Sequence, residues 1–448
     1  MIWDRFPALH FGLSITIGII YAMTGNLLSL LAGIPLLKKP LACLIIPLAT
    51  LYTYYLAPPS IYDGPLDFQI TSVRPYSTPF SKGYLYTGTV PSIGKATYYS
   101  KKYFPADSDY HFHLAHYEEG FIKGSTPTPI QDTHSSAGRR FKAKKKVKNL
   151  IFKHYSSPKV AFFLSGLATG NLENRLLKFQ FLKVGLAHLL AISGFHFALL
   201  ATFIALFLKP HLREKTIATL LLILLSSYFF FIGPSPSVSR AYLAALLLLF
   251  GRLLDLNASP LNSLGVALSL SLLFDPSIAK ELGFQLSFIA TAGILLFTKP
   301  LEEKLEFLLP KRRKAELLLM PRTHQVGYHL LRPLRKGLAL LLAVHLVTLP
   351  VLLSSFGSFP LLGLLYNLFY PPLVSLSLFL LLLSFLIPPL HLINQWYTSF
   401  ILIPIEYPPL FFDYTLHFSL PPLVTILLLS MIFTFGLTKR GHSLHNIQ

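Results

Sequence analysis

Four residues with chemical potential sit inside one apolar run: His188, Ser193, Gly194 and His196, in Ala187-His188-Leu189-Leu190-Ala191-Ile192-Ser193-Gly194-Phe195-His196. A serine among histidines could pair a nucleophile with a base. No strand–turn–helix elbow presents Ser193, however, and no carboxylate is at hand to orient an imidazole. Catalysis is not expected, and the chain is read as a non-enzyme. Polar groups are costly in hydrocarbon, and those that persist there usually serve function. These four do not share one stripe of a regular helix, and Gly194 loosens the backbone. A broken helix lining a water-filled cavity accounts for both features.

Three further sets lie in later apolar runs. Arg240 follows Gly233-Pro234-Ser235-Pro236-Ser237-Val238-Ser239 at the start of a run. It either snorkels to the interface or sits in a pathway for an anion. Gln285 and Ser287 belong to Gly283-Phe284-Gln285-Leu286-Ser287-Phe288, and His345, Thr348 and Asn367 form the third set. Each alone serves equally well as glue between helices. Together they outline a polar route through a bundle.

Two other patterns fail on inspection. His111-Phe112-His113-Leu114-Ala115-His116 resembles the metal motif of the metallo-β-lactamase fold, but Ala115 stands where that motif needs Asp. Alternation on a strand puts His111 and His113 on one face, and incomplete ligand sets do not hold zinc. The segment from Gly88 to Gly94-Lys95-Ala96 is one residue too long for a phosphate loop and lacks its Ser or Thr. No metal site, no cofactor and no ATPase are expected.

The elements that position these residues follow from composition. Of 448 residues, 53% are hydrophobic and 13% charged, where soluble domains carry about 25% charge. Runs such as Gly185 to Leu208, Thr216 to Ile232 and Leu282 to Phe297 come near the ~20 apolar residues that cross a bilayer. The fold class expected is a mainly α-helical polytopic membrane protein of roughly 10–12 passes. A small β-rich external domain should lie near the N-terminus. Anchor passes occupy residues 1–57, and the β-rich domain with a basic tail occupies 58–157. The main transmembrane domain takes 158–437, and a cytoplasmic tail 438–448. Within this scheme Ala161 to Lys183 reads as a surface helix, Ser125 to Gly138 as a flexible tail, and Cys43 as a buried hydrophobe. The run after Arg5 reads as a retained anchor.

Orientation follows the short basic loops. Lys299 to Lys336 carries ten Lys or Arg against four Glu, which places that loop in the cytoplasm. Counting passes from it puts Lys209, Arg213 and Lys215, Lys439 and Arg440, and Arg5 with Lys38 and Lys39 on the same side. The β-rich domain then lies outside. From Pro58 to Val184 the chain holds eighteen Lys or Arg and eight Asp or Glu, half of the chain's formal +20 charge. A basic cluster between Arg139 and Lys148 argues for the opposite orientation, but long domains cross largely regardless of charge. Lys82, Lys95, Lys101, Lys102, Arg139 and Arg140 could track phosphates while Tyr84, Tyr86, Tyr98, Tyr99, Tyr103 and Phe104 stack on bases. A solvated surface or a contact with anionic lipid explains the same residues.

Gly185 to His196, Pro234 to Ala241, and Asp275-Pro276 with Gly283 to Phe288 resemble, in order and spacing, the competence domain of the ComEC family of DNA-uptake membrane proteins. Leu349-Pro350, Phe356-Gly357, and Asn367 with Pro371-Pro372 are weaker matches. The similarity covers about Ala161 to Leu380. It implies a channel in the bacterial cytoplasmic membrane that passes one DNA strand inward during natural transformation, with an OB-like external domain. It marks His188, Ser193, Gly194, His196, Arg240 and Gln285 as pathway or structural residues. Many members end in a metallo-β-lactamase-like domain, and here the chain stops soon after the last pass. The expected partners are therefore single-stranded DNA, the bilayer, and a separate helicase or ATPase, DNA receptor and nuclease. The alternative is a transporter of another anionic polymer or a lipid-linked substrate.

Overall fold

A computed structural model describes residues 2–25, 30, 33–37, 39–56, 61–78, 81–91, 93–106, 109–118, 120–124, 126–131, 136–190, 194–256, 259–307, 310–312, 314–408 and 415–445. Apolar runs become helices because only a helix satisfies its own backbone away from water. Helix α1 (Pro7–Thr24) packs on α2 (Pro40–Leu56). Trp3 Nε1 donates to Pro35 O at 3.0 Å, and His10 Nε2 lies 2.9 Å from Leu36 O, tying the ends of this pair. Between them Ile34–Leu36 forms a 3-10 turn, and residues 26–29, 31, 32 and 38 lie outside the described residues.

Next come six strands: β1 (Ile61–Thr78), β2 (Ser81–Val90), β3 (Gly94–Ser100), β4 (Asp109–Glu118), β5 (Phe121–Gly124) and β6 (Thr128–Gln131). The long β1 pairs β4 along its first half and β2 along its second, with register shifts between Gly64 and Leu66 and between Ile70 and Ser72. Such irregularities bend a strand and let a sheet curl. The ring closes as β1-β2-β3-β5-β4-β1, with β3 and β5 parallel, and β6 adds to β4. That closure is the strand order of an OB barrel, as expected. Alternate residues Leu66, Phe68 and Ile70 fill the inside with Tyr86, Tyr110 and Phe112.

This interior revises the base-stacking set. Tyr86 is buried, and Tyr84, Tyr98 and Phe104 pack against the same core, so these rings hold the barrel together. Tyr103 keeps an exposed face. The nearest approach to a phosphate loop, Gly88 to Lys95, is the β2–β3 hairpin.

Helix α3 (Ser136–His154) leaves the barrel and carries the whole basic cluster. The expected flexible tail instead supplies β6 and the first turn of α3, because the barrel needs the strand and the cluster lies on a helix-forming Lys/Arg/Ala run. Helix α4 (Pro158–Thr169) buries Val160, Ala161, Phe163, Leu164 and Leu167. The expected surface helix is thus a core helix in its first half. Only α5 (Arg175–Lys183) is amphipathic, with Leu177 and Phe181 inside and Leu176, Phe179 and Leu182 outside. Cys43 is exposed on α2, not buried, as an apolar residue facing lipid would be.

Apart from the short segments Ile2–Arg5 and Lys314–Leu318, the remaining α-helices are α6 (Ala187–Leu190), α7 (Gly194–Leu208), α8 (Glu214–Ile232), α9 (Pro236–Leu253), α10 (Pro260–Phe274), α11 (Leu282–Lys304), α12 (Arg322–Phe356), α13 (Leu362–Ser384), α14 (Leu390–Glu406) and α15 (Pro422–His445). Among the described residues, five helical segments are long and apolar enough to cross a membrane: Pro7–Thr24, Glu214–Ile232, Leu282–Phe307, Arg322–Phe356 and Leu362–Ser384. Shorter apolar helices lie at Pro40–Leu56, His196–Leu208, Pro260–Phe274 and Val424–Thr438. The protein is a multi-pass membrane protein. The run Gly185 to Leu208 is two helices, α6 and α7, and the residues between them, 191–193, lie outside the described set.

Candidate functional site

Arg240 lies one turn into α9, where Ser235 ends an extended segment and Pro236 opens the helix. Its side chain turns inward. The residue is 8% exposed, Nη1 donates to Thr291 Oγ1 of α11 at 3.1 Å, and the guanidinium sits 5.6 Å from the centroid of Phe288. A Cβ on Gly194 would stand 3.3 Å from Nη2, so the start of α7 flanks the same cation. Buried Nε has no hydrogen-bond partner among the described residues. The snorkelling alternative is excluded by this burial. An intramembrane guanidinium with spare donor capacity is suited to an anion, since burying charge without a partner is costly.

A second meeting point, at Gly185, brings together α6, α12 and α13. Gly185 has φ +72°, and a Cβ there would meet Gly363 Cα at 3.1 Å, so glycine allows both the turn and the close approach. Asn367 Nδ2 donates to Gly363 O at 2.7 Å and reaches Gly185 O at 3.5 Å, bracing this junction from α13. His188 hydrogen-bonds the Gly185 backbone and lies within electrostatic range of His345. Its side chain is exposed. His345 and Thr348 each bond a carbonyl of their own helix, Leu341 O and Val344 O. His196 is buried at 3% exposure.

The expected polar set therefore divides. Gly194, Arg240 and the α11 segment bearing Ser287 and Thr291 form one cluster, with Thr291 Oγ1 bonded to Ser287 O at 2.8 Å. His188, His345 and Asn367 gather near Gly185. Gln285 Nε2 donates to Ala279 O at 2.8 Å and steadies the 3-10 turn Pro276–Lys280. Ser193 lies outside the described residues. Sequence reading missed Thr291, whose signal was its place one turn after Ser287.

It also missed a second polar cluster. Tyr155, Ser377, Ser384, Asn394 and Thr398 join the end of α3 to α13 and α14. Asn394 Nδ2 donates to Tyr155 Oη at 2.9 Å, and Asn394 Oδ1 accepts from Thr398 at 3.0 Å and Ser377 at 3.4 Å. Ser377 and Thr398 hydroxyls are 2.7 Å apart, and Tyr155 Oη lies 3.4 Å from Ser384 Oγ.

The basic residues of the barrel and α3 serve two uses. Lys95 Nζ, at the β2–β3 hairpin, pairs with Asp275 at 2.5 Å and Glu281 at 3.5 Å. Asp275 also caps the 3-10 turn through Ser277 N. The Asp275-Pro276 block is thus a seat for the barrel on the membrane domain. Arg140 donates to Thr71 O of β1 and to Ser136 Oγ, and Gly233 (φ +86°) leaves room for it, where a Cβ would lie 3.1 Å from Nε. Lys144 Nζ donates to Ile232 O at the end of α8, 2.7 Å away. Burial and the nearby Arg140 hold its amine down at about 8. Lys148 pairs with Glu173 at 2.5 Å. Arg139, Lys101 and Lys102 are exposed, and Lys82 lies on β2 opposite Ser77.

His111 and His116 pair across the β1–β4 seam with Asp67 and Asp63, each at 2.6 Å. The Asp63 contact raises the His116 pKa above its ordinary value. Among the described residues no three His, Cys, Asp or Glu side chains gather as a metal site would require.

With this geometry in view, the family model described as Competence protein matches residues 171–441. The chain belongs to that family. It is similar to ComE operon protein 3 of Bacillus subtilis (strain 168), at 28% identity over 216 residues. That match takes in 47% of this chain and 27% of the relative, so the chain spans well under two thirds of that protein's length. No solved structure matches the chain. The competence match takes in every candidate residue from His188 to Asn367. The barrel and α3 lie outside it, so their chemistry has to be argued from their own residues.

Proposed function

We propose that this competence-family chain conducts a single strand of DNA across the bacterial cytoplasmic membrane during natural transformation. One observation carries the reading. Within the segment matched by the family, Arg240 is buried among membrane helices with donor capacity unspent on protein partners among the described residues. A strand carries a phosphate at every nucleotide, and successive phosphates exchanging on one guanidinium would lower the cost of passage. His188, His345 and Asn367 supply polar lining where α6, α12 and α13 meet. The barrel faces outward in this reading, and separate proteins supply the motor, the DNA receptor and the nuclease.

The test is uptake of labelled DNA. Deleting the gene should abolish arrival of label in the cytoplasm while surface binding persists. Unchanged arrival in the deletion strain would overturn the reading.

A further inference from the structure

Helix α3 contains no acidic residue and divides its cations between two faces. The inward stripe, Arg140, Lys144 and Lys148 with buried Ile151, follows helical spacing and fastens the helix to Thr71, Ile232 and Glu173. The outward stripe holds Arg139, Lys142, Lys145, Lys146 and Lys153, all exposed. From Arg139 to Lys153 it runs about 21 Å at the rise of an α-helix. It starts at the barrel and ends beside the membrane core, where Tyr155 joins α13 and α14.

The barrel extends this stripe. Lys101 and Lys102 are exposed in the loop after β3, and the next residue, Tyr103, stacks on Phe141 of α3 at 5.3 Å with 23° between the rings. Lys145 lies one turn beyond Phe141. Cations interleaved with an exposed aromatic face are what a flexible, phosphate-bearing strand requires.

A bilayer surface is the competing partner, and the neighbouring α5 shows what lipid contact demands. Its outer face presents Leu176, Phe179 and Leu182, each more than 60% exposed, the apolar stripe of a helix lying in an interface. The outward face of α3 exposes one large hydrophobic residue, Leu150. A helix so polar gains little from insertion and much from a soluble polyanion.

We propose that the outward face of α3, with Lys101, Lys102 and Tyr103, is a track for the phosphate backbone of single-stranded nucleic acid between the barrel and the membrane domain. The proposal rests on the DNA-conducting reading and adds a binding surface outside the family-matched region.

The test uses full-length protein in nanodiscs of neutral phosphatidylcholine and a labelled oligothymidylate, with affinity read across a salt series. The variant R139Q/K145Q/K146Q/K153Q should lower the slope of log affinity against log salt by about 3, since each lost phosphate contact on a single strand removes about 0.7. Should that variant misfold, Lys146→Gln alone, on an exposed site, should lower the slope by about 0.7. Unchanged slopes with a wild type that binds would overturn the track and leave the DNA reading standing. A wild type that binds no oligonucleotide would overturn both. Variants that bind the oligonucleotide normally but lose retention on phosphatidylglycerol vesicles would assign the stripe to lipid and overturn the track.

Discussion

Two polar clusters sit among the membrane helices, and they are built on opposite principles. In the Tyr155–Asn394 cluster every member bonds another, and Ser377, Asn394 and Thr398 have no exposed surface. In the Arg240 cluster a full charge is anchored by one hydroxyl and one aromatic face, and Nε has no partner among the described residues. At the Gly185 junction, His188 keeps an exposed side chain. Closed networks hold helices together, because each donor finds an acceptor without water. An open cluster is stable only if something else, water or an anion, completes it. The difference separates glue from lining better than polarity alone.

The sharpest way to break this comparison is Arg240→Gln. The amide keeps a donor for Thr291 and removes the charge. If the cluster is lining, DNA uptake should fall ~10–100-fold, the worth of a charge-assisted contact. Thermal unfolding in detergent should stay at the wild-type value or rise, because a costly buried charge is gone. Unchanged uptake with lowered stability would make Arg240 glue after all.

The converse variant is Asn394→Ala. It strips the central amide and leaves Tyr155, Ser377 and Thr398 short of partners in a buried site. Stability should fall by about 2 kcal/mol, the usual cost of orphaned buried groups, read as a lower unfolding temperature. Uptake per folded molecule should be unchanged. A selective loss of uptake at normal stability would place this cluster on the path as well.

The two clusters were not equally legible in the sequence. His188, Arg240 and Gln285 stand out because each interrupts an apolar run, and the membrane makes such interruptions costly. Asn394 and Thr398 sit in Leu390-His391-Leu392-Ile393-Asn394-Gln395-Trp396-Tyr397-Thr398, a mixed stretch where polarity carries no surprise. Their partner Tyr155 lies 239 residues away, a pairing that no local pattern reveals. In the barrel the β-rich character was readable, but the fate of its aromatics was not. Spacing shows that Tyr84, Tyr86 and Tyr98 alternate, and only the closed ring shows that the inside needed filling. The same limit applies to the cations. Lys95 and Arg139 look alike as letters, yet one seats the barrel and the other faces solvent.

The junction between barrel and membrane domain is a third case, and Lys144 tests which principle governs it. Its ammonium is fastened to Ile232 O, at the negative end of the α8 dipole, yet burial brings its pKa down to about 8 from 10.5. Desolvation therefore outweighs the favourable contact. Below pH 8 the amine is charged in both folded and unfolded chains, and the folded state bears the whole cost. Between about 8 and 10.5 the folded chain releases the proton while the unfolded chain keeps it, so stability rises with pH through that window. The gain is at most about 1.4 kcal/mol per pH unit, smaller in practice because part of the side chain meets solvent. Unfolding temperatures measured from pH 7 to pH 9.5 should climb in the wild type relative to Lys144→Met, which keeps the stem and has no proton to lose. If both proteins respond alike, the Lys144 contact is closed like the Asn394 network, and its charge is already fully compensated.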